Sequence, residues 1–329
     1  MTPALALTHT ALFVVGAVEV VVTIPRRVVK GQVVAVVRRT LERRGLLRPE
    51  PWVKLLFAYA VALAQEKTGM HVLAFEAMSN HIHLVVEDVD GRLPDFMKEL
   101  DELVAKAVNA ERQRRDTFWE GAGAKWTVLL TPEAIEESVA YTILNCVDAG
   151  LVADAKAWGG FVTLPTMLGR EQVVERPKLR YFSERSKAPA TAVLRIDVPS
   201  AHATLGPDGW QRLIAKRVAA GEDEIRLRVG KGQFAGMEAV LARSVDWRPS
   251  TEEALGSPTP AAKAGNVAEA KVLIKAFRTL RAWFLNAYRL AYDELRQAGT
   301  TVFPEGTWRW HHEARLPCSS PPTEMSAAA

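Results

Sequence analysis

The chain has 329 residues, 48% of them hydrophobic and 24% charged, with 42 Lys and Arg against 38 Asp and Glu for a net charge of +4. That composition excludes disordered, collagenous and fibrous chains, and the length suits about two globular domains. Two cysteines, Cys146 and Cys318, cannot form a disulfide framework, so a reducing, cytoplasmic setting is expected. The apolar run from Ala11 to Ile24 is too short to span a bilayer and is interrupted by Glu19. It also lacks the basic lead-in of a signal peptide, so no membrane association is expected.

The Val-rich stretch 11–23 reads as a strand. Residues 28–46 and 51–68 read as helices separated by Pro49 and Pro51. Two short apolar runs, His71–Met78 and His81–Glu87, are joined by Ser79-Asn80 and predict paired strands. From Leu93 to about Arg115 apolar residues recur at threes and fours, which predicts a helix. A strand over Trp126–Leu130 follows. A helix over about 132–147 comes next, with Thr131 as N-cap, Pro132 in its first turn and Gly150 past its end. The order is that of an α+β, ferredoxin-like (split βαβ) antiparallel-sheet domain with one added helix.

Beyond residue 160 the pattern weakens. Residues 165–208 have little periodicity, 209–219 and 269–298 read as helical, and 248–267, with three prolines, read as a loop or linker. Residues 316–329 read as a disordered tail. The expected organisation is a first domain over 1–160, a mainly helical C-terminal region over 161–315, and the tail.

Charge is concentrated. Between Arg26 and Arg48 there are eight bases and one acid, Glu42, a local net charge of +7; between Lys271 and Arg289 there are five bases and no acid. Such blocks suit a polyanion, because each neutralised phosphate releases counterions. Arg26, Arg27, Arg38, Arg39, Arg43, Arg44, Lys125, Lys275 and Arg278 are the candidate nucleic-acid contacts.

The chemistry centres on Asn80-His81-Ile82-His83. On a strand, residues i and i+2 share a face, so His81 and His83 project together as a natural pair of metal ligands. Tyr141 and Asn145 are four residues apart on the predicted 132–147 helix and so share one of its faces. Asn145 can then offer its carbonyl oxygen as a third ligand, with Tyr141 one turn away. Two nitrogens and one oxygen leave positions for phosphate and water, which suits Mg²⁺ or Mn²⁺.

The stretch from Phe75 to Val86 (FEAMSNHIHLVV) resembles the HUH segment of the single-tyrosine HUH transposases, and within them the REP-associated tyrosine transposase branch. Tyr141 to Val152 (YTILNCVDAGLV) is similar to that family's tyrosine helix, Y-I-x-x-N-P-V-R-A-G-L-V, departing from it at Cys146 and Asp148. Phe118-Trp119-Glu120-Gly121 is similar to its aromatic turn. Tyr141 follows His83 by 58 residues, in the family's order, and the likeness covers about residues 10–160.

The resemblance implies a DNA transposase that nicks single-stranded or hairpin DNA and transfers strands in a metal-dependent reaction. His81, His83 and Asn145 would hold the cation and Tyr141 would be the nucleophile, forming a 5′-phosphotyrosine link. It implies a nucleoid-associated protein and leaves both a monomer and a homodimer open. Trp119, Trp126, Trp308 and Trp310 are candidate stacking platforms for bases. The alternative is a domesticated DNA-hairpin-binding protein without cleavage activity.

Overall fold

A computed structural model describes residues 25–183, 186–230, 232–248 and 261–321, together with the backbone of 10–15 and 18–23. The chain divides into two compact units, residues 30–271 and residues 1–29 with 272–329.

The stretch 11–23, expected as one strand, contains two, β1 (Thr10–Val15) and β2 (Val18–Thr23), which pair antiparallel. Neither belongs to the main sheet. The expected helix over 28–46 is instead strand β3 (Gln32–Arg39). The run Val33-Val34-Ala35-Val36-Val37 decides the outcome. β-Branched side chains lose rotamer freedom in a helix and pack well on a pleated surface. Val34 and Val36 are accordingly buried.

The first unit continues as α1 (Pro51–Thr68), β4 (His71–Ala77), β5 (His81–Asp88), α2 (Leu93–Glu111), β6 (Lys125–Leu129) and α3 (Pro132–Asp148). Pro51 opens α1, and Gly69 closes it in the left-handed region at φ +70°. The sheet order is β4-β5-β3-β6, with β3 antiparallel to both β5 and β6. This is the split βαβ, ferredoxin-like arrangement expected from the sequence, with β3 as its first strand. A short strand β9 (Ala262–Lys263) extends the sheet in parallel with β6, so part of the expected 248–267 loop is an edge strand; residues 249–260 lie outside the described residues.

Strand alternation sorts the side chains onto two faces. Phe75 faces α1, where it meets Phe57 with ring centroids 5.4 Å apart. Its neighbour Glu76 turns to the opposite face, the one that α3 covers, and bonds to α3 there. The weakly periodic 165–208 stretch holds an antiparallel hairpin, β7 (Arg170–Glu175) and β8 (Thr191–Ile196), with β8 packed on α1. Helix α4 (Gly206–Val229), longer than the 209–219 helix expected, packs on α3, and α5 (Gly236–Ala242) follows. Glu136 of α3 joins this layer through His202 at 2.9 Å and Arg217 at 2.5 Å.

The second unit centres on α6 (Ala270–Ala298), within a residue of the helix expected from the sequence. Its buried stripe of Leu280, Phe284 and Ala291 lies roughly opposite the exposed cations Lys275, Arg278, Arg289 and Arg296, at about 100° of turn per residue. Strand β10 (Phe303–Pro304), helix α7 (Trp308–His312) and strand β11 (Cys318–Ser319) complete it, with β10 and β11 paired in parallel. Part of the tail expected to be disordered is therefore in a strand pair; residues 322–329 lie outside the described residues. Among the described residues no helix is long and apolar enough to cross a membrane.

Candidate active site

The site forms where α3 crosses the end of β5. His81 and His83 occupy one face of β5, with ring centroids 4.8 Å apart in an edge-on arrangement. Tyr141 of α3 meets His83 with centroids 5.7 Å apart. His83 is buried, while the Tyr141 side chain is 49% exposed, so the phenol is open to an incoming polymer. Asn145, one turn on, is buried with its amide Nδ2 unbonded. The next residue, Cys146, donates its backbone N–H to Glu76 at 3.1 Å, and Glu76 pairs in register with His83. The Asn145 turn thus lies against the strands that carry the histidines.

Asn80 sets the chemistry of His81. Its Nδ2 donates to the Arg43 carbonyl at 3.2 Å, which fixes the amide orientation and turns Oδ1 toward His81 Nδ1 at 2.6 Å. An amide oxygen only accepts, so Nδ1 carries the imidazole proton and Nε2 keeps its lone pair. The Asn80 main-chain carbonyl in turn accepts from the Thr40 N–H at 3.0 Å and the Thr40 hydroxyl at 2.9 Å. No role for Asn80 follows from the sequence pattern by itself; its place directly before the first histidine is the available signal.

Both imidazoles are held neutral. Burial drives the His81 pKa well below the usual histidine value, helped by the charges of His83, Arg39 and Arg43. Burial, then Arg39, pushes His83 down to about 4. Neutral imidazole is the form that binds metal. Tyr141 shifts the other way: burial, then Asp148 and Glu76, raise its phenol above the ordinary value. Asp148 itself is paired with Arg228 of α4. Among the described residues no three His, Cys, Asp or Glu side chains gather into a metal-binding group. The two neutral imidazoles on one strand face are the donors that fit a cation here, with the buried Asn145 amide, one helical turn from Tyr141, as the candidate oxygen donor.

The candidate cations divide by strand face. Arg39 pairs in register with His81, and Lys125 with Val37, whose other register partner is His83, so both stand on the histidine face. Burial, then the like charge of Arg39, lowers the Lys125 pKa, with Glu120 opposing and Arg43 adding a smaller push. Arg38 points to the opposite face. It pairs with Asp101 of α2 at 2.8 Å, donates to the Glu120 carbonyl at 2.7 Å and lies over the Trp119 ring at 5.2 Å. Arg44 is taken up by Glu42 at 2.7 Å and Arg27 by Glu305 at 3.0 Å. Ion pairs with Glu42, Asp101 and Glu305 thus neutralise part of the basic run 26–48. Arg26, exposed, belongs to the second unit, as do Lys275 and Arg278.

The tryptophans are mostly packed. Trp119 is buried and donates Nε1 to the Asp101 carbonyl at 2.9 Å. Trp126 pairs in register with Val36, on the face away from the histidines. Trp310 stacks on Phe303 at 5.5 Å and donates to the Tyr288 hydroxyl at 2.9 Å, while Trp308 stacks on His312 at 5.5 Å.

With this geometry established, the chain can be set beside known proteins. Residues 29–128 match the model of the IS200-like transposases. The match takes in β3, His81, His83 and Lys125 and ends before α3, so Tyr141 and Asn145 lie outside it. Among solved structures, a REP-associated tyrosine transposase bound to a REP hairpin is similar over 43% of this chain and 82% of that one, at 16% identity and a TM-score of 0.37. No curated protein matches the chain.

Proposed function

We propose that this protein is a transposase that nicks single-stranded or hairpin DNA and rejoins it through Tyr141. The observation that carries the reading is the meeting of the β5 histidine pair with the half-exposed phenol of α3, 5.7 Å between the His83 and Tyr141 rings. The family match of residues 29–128 supports it from the sequence side.

In this reading His81 Nε2, His83 and the Asn145 amide oxygen would hold a divalent cation, Mg²⁺ or Mn²⁺, which would supply Lewis-acid polarisation of the scissile phosphodiester and favour the phenolate. The chain's own groups do the rest. Arg39, Arg43 and Lys125 bring the DNA backbone to the histidine face by charge. Asn80 holds His81 in the tautomer that leaves its lone pair free. The Tyr141 oxygen attacks phosphorus, its proton passing to water. The P–O3′ bond breaks and the 3′ oxygen leaves as a hydroxyl after taking up a proton. The DNA 5′ phosphate is then joined to Tyr141, so a second 3′-OH can reverse the step on another strand without a nucleotide cofactor. Burial, then Asp148 and Glu76, raise the Tyr141 pKa, so the phenol is protonated in the free protein and its proton must leave as the bond to phosphorus forms.

The test is a 3′-labelled hairpin oligonucleotide incubated with protein and Mn²⁺, since the label then stays on the fragment joined to Tyr141. A covalent protein–DNA adduct formed by the wild type, and retained on a denaturing gel, is expected. Cleavage that persists in Tyr141→Phe while His83→Ala abolishes it indicates instead a metal-activated water.

A further inference from the structure

Glu76 is fully buried and, among the described residues, has no ion-pair partner, an expensive arrangement for a carboxyl. It sits on β4 in register with His83 of β5, on the face that α3 covers. Its Oε1 accepts the Cys146 N–H at 3.1 Å, one residue beyond Asn145, while Oε2 has no partner. The packing of α3 does not need this bond. Ile135, Val139, Ile143 and Val147 are buried along the helix, and Thr131 caps it by accepting from the Ala134 N–H at 3.1 Å. A leucine of similar volume would fill the same space without burying a polar group.

We propose that Glu76 is a positioning residue, tying the Tyr141–Asn145 turns of α3 to the histidine strands so that both halves of the site keep one relative setting. The inference rests on the function proposed above. The bond runs from a strand whose register fixes His83 to the turn that carries Asn145. Losing it frees α3 to slide or rotate by a fraction of a turn on the sheet while its apolar face stays buried. Misplacement of reacting groups by about 1 Å can cost on the order of 100-fold in rate.

The test compares Glu76→Leu with Glu76→Gln, which keeps an acceptor oxygen. Thermal unfolding, amide exchange over 141–148, the Mn²⁺-induced rise in Tm and the adduct rate are measured for each. Glu76→Leu is expected to unfold at or above the wild-type temperature, yet to exchange faster over 141–148. It should show a smaller Mn²⁺ shift and form adduct about 10- to 100-fold more slowly. Glu76→Gln should stay close to wild type in all four. Wild-type exchange and adduct rate in Glu76→Leu, or equal impairment of both variants, overturns the proposal. If the wild type itself forms no adduct, the transposase reading fails, and the exchange data alone decide whether Glu76 anchors the helix.

Discussion

Replacing Asn80 with alanine should damage the site far more than the fold. The main-chain bonds from Thr40 to the Asn80 carbonyl survive the change. What is lost is the pair of side-chain bonds, 3.2 Å to the Arg43 carbonyl and 2.6 Å to His81 Nδ1. A typical net value of about 1 kcal/mol per hydrogen bond makes the stability cost about 1–2 kcal/mol, a small fall in Tm for the protein. The effect on His81 is larger in kind. Without Oδ1 as acceptor the ring is free to swing and to move its proton to Nε2, which removes the lone pair from the proposed cation. Loss of such an orienting partner costs roughly 10- to 100-fold in metal affinity, or about 1.4–2.7 kcal/mol. Titration of free Mn²⁺ by electron paramagnetic resonance, with Asn80→Asp as the variant that keeps an acceptor, measures this. Mn²⁺ affinity in Asn80→Ala equal to that of the wild type, in a protein that still folds, would refute the tautomer argument.

Three further outcomes follow from the electrostatics. Asp101, with Oδ1 unpartnered and Oδ2 bonded to Arg38, is pushed up by burial to about 6 from its ordinary 3.8. A raised carboxylate pKa means that the folded state binds the proton first, so stability falls as pH rises through 6. Denaturant unfolding should find the protein about 1 kcal/mol more stable at about pH 5 than at about pH 7 from this group, a difference that disappears in Asp101→Asn. Arg39→Gln and Lys125→Gln should each lower the slope of log affinity against log salt for single-stranded DNA by about 0.7, whereas Arg38→Gln should leave that slope unchanged and lower stability. Asp148→Asn removes a negative charge that raises the Tyr141 phenol. Ultraviolet titration should show that phenol ionising at lower pH than in the wild type, and an unchanged titration curve would contradict the assignment.

The sequence made the strand pair, the tyrosine helix and its cap legible because each depends on local signals. Period-two alternation carries His81 and His83, a Thr-Pro start opens α3, and Gly150 closes it at φ +67°. It misled where local and distant effects compete. Arg38 and Arg39 are neighbours and look equivalent, yet alternation sends one to Asp101 across the sheet and the other to the histidine face. The +7 block looked like a polyanion-binding surface because several of its neutralising acids, Glu305, Asp101 and Asp246, lie far along the chain. Residues 170–196 lacked visible periodicity because β7 is exposed on nearly every residue and pairs only with β8. Glu76 passed unnoticed because a single acid inside an apolar strand signals nothing until α3 is laid over it.

The central claim is that the Tyr141 oxygen becomes covalently joined to DNA at a site organised by His81 and His83. Mass spectrometry of the protein after incubation with a hairpin oligonucleotide and Mn²⁺, followed by nuclease digestion and peptide mapping, tests it most directly. The account predicts a nucleotide phosphate on the peptide containing Tyr141, absent from Tyr141→Phe and reduced in His83→Ala. Cleaved DNA with an unmodified Tyr141 peptide, or tight hairpin binding with neither cleavage nor adduct, would contradict it.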